Sequence, residues 1–204
     1  MNAIVPGGGD ALLIVDPQVD FLPGGSLGVP QGDAVLAPIN RLSDLYRTHA
    51  LPVYVSRDWH PSLHCSFAGQ GGPWPVHCVA GSDGARFAPG LQLDDAVVIS
   101  KATTVDVDAY SAFNGTGLAD TLRARGITRL AVCGLATDYC VLNTVLDALA
   151  AGFEVLLATE AIRAVNVYAD DGVRALVRML DAGAMPVQLS GASMVLNPAL
   201  GAAA

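Results

Sequence analysis

Leu130-Ala131-Val132-Cys133-Gly134 runs without a break into Leu135-Ala136-Thr137-Asp138-Tyr139-Cys140, an apolar run delivered onto a polar turn that ends in a cysteine. Three other stretches have the same form. Ala11-Leu12-Leu13-Ile14-Val15 runs into Asp16, Val53-Tyr54-Val55-Ser56 into Asp58-Trp59-His60, and Ala96-Val97-Val98-Ile99-Ser100 into Lys101. Short, β-branched apolar runs bounded by Gly, Pro or Asp are the pattern of parallel strands buried on both faces. In open parallel α/β sheets, ligands bind beyond the carboxyl ends of the strands. An acid, a lysine, a cysteine and an Asp/His pair are therefore expected along one edge of one sheet.

Outward from these four runs, Phe153-Glu154-Val155-Leu156-Leu157-Ala158 and Met185-Pro186-Val187-Gln188-Leu189 read as a fifth and a sixth strand. The intervening stretches carry helical periodicity over 35–46, 118–125, 139–151 and 170–182, with Gly126, Gly152 and Gly183 as stops. Alternation of strand and helix predicts an α/β protein, a three-layer doubly wound fold. Its mainly parallel sheet has about six strands, with helices on both faces. The 59–93 stretch breaks the alternation, being rich in Gly, Pro, Ser and His without sustained period, and long irregular segments in compact domains are usually functional. No repeat or linker interrupts the 204 residues, which read as one domain, 1–204, carrying a metal-binding loop region at 58–93.

Composition narrows the function classes. Hydrophobic residues make up 52% of the chain and charged ones 15%, with a net charge of −8, so the basic surface that nucleic acid or an anionic membrane requires is missing. No apolar run approaches the ~20 residues of a membrane span, and the first ten residues lack the pattern of a signal peptide. The expectation is a cytoplasmic protein, with no nucleic acid or membrane partner, whose apolar surplus points to a homo-oligomer. Among Cys65, Cys78, Cys133 and Cys140, catalytic or metal roles outrank disulfides in such a setting. Cys133, inside a strand, reads as a small core residue; the roles of Cys65 and Cys78 stay open.

Cys140, at the start of an apolar helix, gains N–H donors and a partial positive charge that favour a thiolate and can hold an oxyanion. Lys101 adds a second charge, and Asp16 can exchange the thiol proton with a leaving group. Taken singly, each of the three has a bland reading as a core cysteine, a turn acid and a solvated lysine; their convergence favours catalysis. His60, His64 and His77 gather with Asp58 in one loop region, and a carboxylate with imidazoles suits a divalent ion such as Zn, Fe or Mn. Asp58 and His60, two apart at a strand end, can face one point and His77 can return as a third ligand, and whether His64 ligates or supports a ligand is open. Gly7-Gly8-Gly9 and Gly24-Gly25-Ser26-Leu27-Gly28 match no phosphate-loop pattern, which argues against a nucleotide- or flavin-binding module.

Val15-Asp16-Pro17-Gln18-Val19-Asp20-Phe21, Asp58-Trp59-His60-Pro61, His64-Cys65-Ser66-Phe67, Trp74-Pro75-Val76-His77-Cys78, Asp108-Ala109-Tyr110-Ser111-Ala112-Phe113 and Gly134-Leu135-Ala136-Thr137-Asp138-Tyr139-Cys140 occur in this order. Together they resemble the nicotinamidase (pyrazinamidase) branch of the isochorismatase-like cysteine hydrolases. The resemblance implies a catalytic Asp16, Lys101 and Cys140, and Asp58, His60 and His77 as metal ligands. It implies a non-proline cis peptide at Leu135–Ala136, which gives an oxyanion hole from the Ala136 and Cys140 N–H groups. Phe21, Trp74 and Tyr110 match positions that wall an aromatic-ring pocket. Leu135 departs from the β-branched residue usual at its position. The activity implied is hydrolysis of nicotinamide to nicotinate and ammonia through a cysteine thioester, with pyrazinamide also deamidated. The alternative within the superfamily is an amidohydrolase of carbamoyl, ureido or maleamate-type substrates, which shares Asp16, Lys101 and Cys140 but has no need of the Asp58/His60/His77 set.

Overall fold

The computed structural model describes residues 3–197. Eight strands form one sheet: β1 (Ala3–Ile4), β2 (Asp10–Val15), β3 (Val53–Asp58), β4 (Val97–Lys101), β5 (Arg129–Leu135), β6 (Glu154–Arg163), β7 (Met185–Ser190) and β8 (Ser193–Leu196). Four α-helices accompany it: α1 (Leu36–Thr48), α2 (Leu118–Ala124), α3 (Leu142–Ala150) and α4 (Asp171–Asp181). The spatial order is β1-β8-β7-β6-β5-β2-β3-β4. The six strands expected from the sequence are the parallel ones, and β1 and β8 add an antiparallel margin.

Alternation along β2 sorts the core into two layers. Leu13 and Val15 pack with Leu118 and Leu122 of α2, Val145 and Ala148 of α3, and Met179 of α4. Leu12 and Ile14 pack on the other face with Ile39, Leu42 and Tyr46 of α1. The three-layer arrangement follows. β4 departs from the fully buried pattern expected of it: as the last strand in the order it is half-exposed along most of its length, with Val98 open to solvent, and only Lys101 is fully covered. Among the described residues no helix is long and apolar enough to cross a membrane.

The chain runs β2, β3, β4 outward in one direction and then returns to lay β5 on the other side of β2. The topological switch point thus lies between β2 and β5, where a ligand crevice is expected. The two strands are pressed together there, with Val15 beside Gly134 in register. Gly134 has φ +118°, and a Cβ built on it lies 2.1 Å from the carbonyl oxygen of Val15. Gly134→Ala is accordingly expected to destabilise the fold by about 4 kcal/mol or more, the range reserved for backbone clashes that no side-chain rotation relieves. A denaturant midpoint within error of the wild type would refute that reading.

Candidate active site

Four neighbouring strands deliver the chemistry. β2 ends at Val15, and Asp16 follows with a left-handed backbone (φ 45°), a conformation an aspartate tolerates better than most residues. Asp58 closes β3 and Lys101 closes β4, and the two are register partners across the strand pair. After β5 the Leu135–Ala136 peptide is cis, as the sequence resemblance implies. The chain then forms a single π-helical turn, Thr137–Val141, in which the Val141 N–H donates to the Ala136 carbonyl (3.1 Å), before α3 begins at Leu142. The sequence reading began a regular helix at Tyr139. The extra residue of the π turn sits where such insertions recur, beside a functional group.

Asp16, Lys101 and Cys140 meet. The Lys101 ammonium is fully buried, 3.0 Å from Asp16 Oδ2 and 3.6 Å from Cys140 Sγ; it donates to the Ala109 carbonyl at 2.9 Å and to Asp58 Oδ1. Ser56 donates its hydroxyl to Asp16 Oδ1 (2.7 Å) and receives the Asp16 N–H (3.3 Å), fixing the carboxylate from the neighbouring strand. Burial drives the Lys101 pKa down, but the Asp16 and Asp58 carboxylates outweigh it and hold the ammonium charged well above the usual range. Burial pushes the Asp16 carboxyl up against the pull of Lys101. It also raises the Cys140 thiol, with Lys101 opposing and Asp16 and Asp58 adding to the rise. A preformed thiolate, expected from a helix start, is thus disfavoured by desolvation and two carboxylates. The thiol needs a base, and Asp16 is beside it.

Asp58, His60 and His77 form a second group, whose ligand atoms lie within 4.8 Å of one another. His60 is 1% exposed, yet neither ring nitrogen has a hydrogen-bond partner, and its Nε2 stands 3.6 Å from Asp58 Oδ2. A buried imidazole without partners is costly unless something outside the protein chain binds it. His77 Nδ1 lies 2.8 Å from the Pro75 carbonyl, which can only accept, so Nδ1 carries the proton and Nε2 is left with its lone pair. Burial lifts the Asp58 carboxyl, but the Lys101 ammonium and the His60 ring more than offset this and keep it well below the carboxylate range. An anionic carboxylate and two available imidazole nitrogens fit a divalent metal ion. His64 differs: Nε2 faces the Val107 carbonyl (3.1 Å) and Nδ1 the Ser66 hydroxyl (2.7 Å), so both nitrogens are engaged, and the ring stacks on His60 with centroids 4.2 Å apart.

Cys140 of the first group and Asp58, His60 and His77 of the second line one cleft, with Asp16 and Lys101 buried behind Cys140. Phe21, Trp74 and Tyr110, singled out in the sequence, all line it, as do Ala136 and Cys140. Trp74 donates its indole N–H to the Tyr110 hydroxyl (2.9 Å), which locks two walls together. Tyr139 is a fourth aromatic that the sequence reading assigned to a buried helix; its ring meets Trp74 edge-on at 4.9 Å. Leu27, Ser66, Asp108, Ala109 and Val165 complete the lining. Two residues inside the quoted Val15–Phe21 motif were also passed over. Gln18 brackets the Asp58 backbone, accepting its N–H (2.7 Å) and donating to its carbonyl (2.8 Å), with a further bond to Ala85. Asp20 accepts the Cys78 N–H (2.7 Å), next to His77. Their only signal was polar character within an otherwise apolar motif. All four cysteines are free thiols, and Cys78 and Cys133 are fully buried with their pKa pushed up by burial.

The isochorismatase domain matches residues 10–189. The chain belongs to the isochorismatase family. Within this family it is 44% identical to the nicotinamidase of Escherichia coli K12, over 85% of this chain and 92% of that protein. Among solved structures of the family, the pyrazinamidase of Pyrococcus horikoshii in complex with zinc superposes with a TM-score of 0.85 at 46% identity, covering 89% of this chain and 99% of that one. A protein of L. infantum in complex with nicotinate gives a TM-score of 0.84 at 40% identity, covering 92% and 96%. The isochorismatase fold accounts for the three-layer architecture around the cleft.

Proposed function

We propose that this chain hydrolyses nicotinamide to nicotinate and ammonia, and deamidates pyrazinamide, through a thioester on Cys140. The observation that carries the proposal is one cleft in which Cys140, backed by Asp16 and Lys101, faces the Asp58/His60/His77 group and a wall of four aromatic rings. The names of the relatives agree with it: a nicotinamidase, a zinc-bound pyrazinamidase and a nicotinate complex.

The substrate ring lies among Phe21, Trp74, Tyr110 and Tyr139, whose faces and edges accept a flat heteroaromatic. Asp58, His60 and His77 would hold a divalent ion (Zn, Fe or Mn by donor type), which would supply Lewis acidity in the cleft. Asp16 takes the Cys140 thiol proton, and the sulfur attacks the carboxamide carbon. The N–H groups of Ala136 and Cys140 receive the developing oxyanion. Asp16 returns the proton to the departing nitrogen, ammonia leaves, and a thioester remains. Asp16 then draws a proton from water, which attacks the thioester, and passes it to the Cys140 sulfur as that group leaves, so that nicotinic acid is released and ionises to nicotinate. Lys101 stays cationic throughout and balances Asp16 and Asp58.

Ammonia release from nicotinamide by the purified protein, before and after treatment with a chelator, tests the proposal. Release is expected in the untreated protein, a fall of about 100-fold or more on chelation, and recovery on adding back Zn, Fe or Mn, in line with the cost of losing an electrophilic anchor. Activity indifferent to the chelator, with no metal found by elemental analysis, would remove the ion from the reaction. No release from reduced, metal-loaded protein would turn the search to carbamoyl and ureido compounds.

A further inference from the structure

Asp138 stands two residues before the nucleophile, but its carboxylate is committed to another part of the chain. Oδ1 accepts the Val165 N–H (2.9 Å) and Oδ2 the Asn166 N–H (2.8 Å). These residues begin the connection from β6 to α4. The far part of that connection is fastened to α4 instead: the Gly172 N–H donates to Asn166 Oδ1 (2.8 Å) and the Tyr168 N–H to Asp171 Oδ2 (2.7 Å). Between these ties Val167 and Tyr168 are exposed, Tyr168 at 74%. Val165 is different, being half-buried and part of the cleft lining.

We infer that Asp138 is a positioning residue for substrate selectivity: by fastening residues 165 and 166 to the nucleophile turn it sets Val165 as a fixed wall of the cleft, and so sets the room that a ring substituent of an aromatic amide finds there. The inference rests on the proposed function. Its physical basis is that a β-branched side chain has little freedom at χ1, so the place of the Val165 methyl groups is set by its backbone. That backbone is held by two charge-assisted bonds, which are shorter and stronger than neutral ones. Because Asp138 belongs to the same turn as Cys140, the wall is placed relative to the attacking sulfur and not merely relative to the sheet. A wall held in this way discriminates by single methyl groups, a difference worth roughly 10- to 200-fold in a well-fitted apolar site.

The test compares kcat and KM for nicotinamide with those for 5-methyl- and 6-methylnicotinamide in the wild type, Val165→Ala, Asp138→Ala and Asp138→Asn. Val165→Ala is expected to raise kcat/KM for at least one methylated amide, relative to nicotinamide, by about tenfold. Asp138→Ala should move the same ratio in the same direction, chiefly through a higher KM for nicotinamide, and Asp138→Asn, which keeps one acceptor, should fall between. The ratio is insensitive to how much of a variant folds, so a purely structural role for Asp138 leaves it unmoved. Amide exchange of Val165 and Asn166 in the ligand-free protein gives a second readout, expected to quicken at least about tenfold in Asp138→Ala. A ratio that shifts in Val165→Ala but stays within about twofold in Asp138→Ala, or unchanged exchange at both amides, overturns the inference. Wild-type protein that hydrolyses none of the three amides overturns the proposed function, a result distinct from either.

Discussion

The Cys140→Ala protein is expected to fold, to retain the metal content of the wild type and to release ammonia from nicotinamide at least about 10⁴-fold more slowly, the scale on which enzymes lose activity with their nucleophile. Its folding is assured by what the substitution removes: one sulfur from a residue that is 7% exposed and sits at the margin of the core cluster, a change of about 1–2 kcal/mol. Its metal content is preserved because the Asp58, His60 and His77 side chains come from β3 and the following loop, not from the π turn. Cys140→Ser sharpens the result. The hydroxyl keeps the shape and the neighbours of the thiol but is far harder to ionise, and a loss of about 10³-fold or more is expected despite an intact cleft. Steady-state ammonia release measures both variants, and mass spectrometry of the quenched wild-type reaction shows the acyl group on the protein. If Cys140→Ala turned over at a tenth of the wild-type rate, the attacking group would be water, and the cysteine would be only a lining residue of the cleft.

How much of this site can be read from the sequence depends on whether a feature is carried by local pattern. The strands β2 to β7 announce themselves through apolar runs, and the residues at the ends of the first four of them through their chemistry. β1 and β8 do not, because strands of two and four residues show no period and owe their existence to pairing with each other and with β7. The adjacency of β2 and β5, which brings Asp16 to Cys140, is a property of strand order that no periodicity encodes. Within the 59–93 segment the geometry comes from side chains reaching across 58 to 67 residues, as Asp20 does to Cys78 and Gln18 to Ala85, so the segment shows no period while being tightly specified. Tyr139 was missed for the opposite reason. Its apolar neighbours fit a buried helix, and the π turn that swings its ring into the cleft leaves no mark in composition. A helix start favours a thiolate when water or a cation dominates the surroundings, whereas at Cys140 burial and two carboxylates dominate.

Lys101→Met is expected to abolish activity and to lower stability together, and the pairing of the two losses is the informative part. The ammonium is enclosed at 0% side-chain exposure between Asp16 and Asp58, so its removal strips Asp16 of its counter-charge and Asp58 of one of its partners. Breaking a buried ion pair from one side costs about 3–5 kcal/mol, which in a chain of this size lowers Tm by roughly 10 °C. Turnover should fall by about 10³-fold or more, because Asp16 then retains its proton and can no longer serve as the base for Cys140. The double variant Asp16→Asn with Lys101→Met separates the effects. It deletes the carboxyl that Lys101→Met leaves unpaired, so about 1–2 kcal/mol of the lost stability should return, while activity stays absent because the base is gone. Thermal melts and ammonia release on the four proteins of the cycle measure this. Additive losses of stability would mean that Lys101 and Asp16 do not act as a pair. Recovery of activity in the double variant would mean that Asp16 carries no proton in the reaction, and the cysteine would have to find its base elsewhere in the cleft.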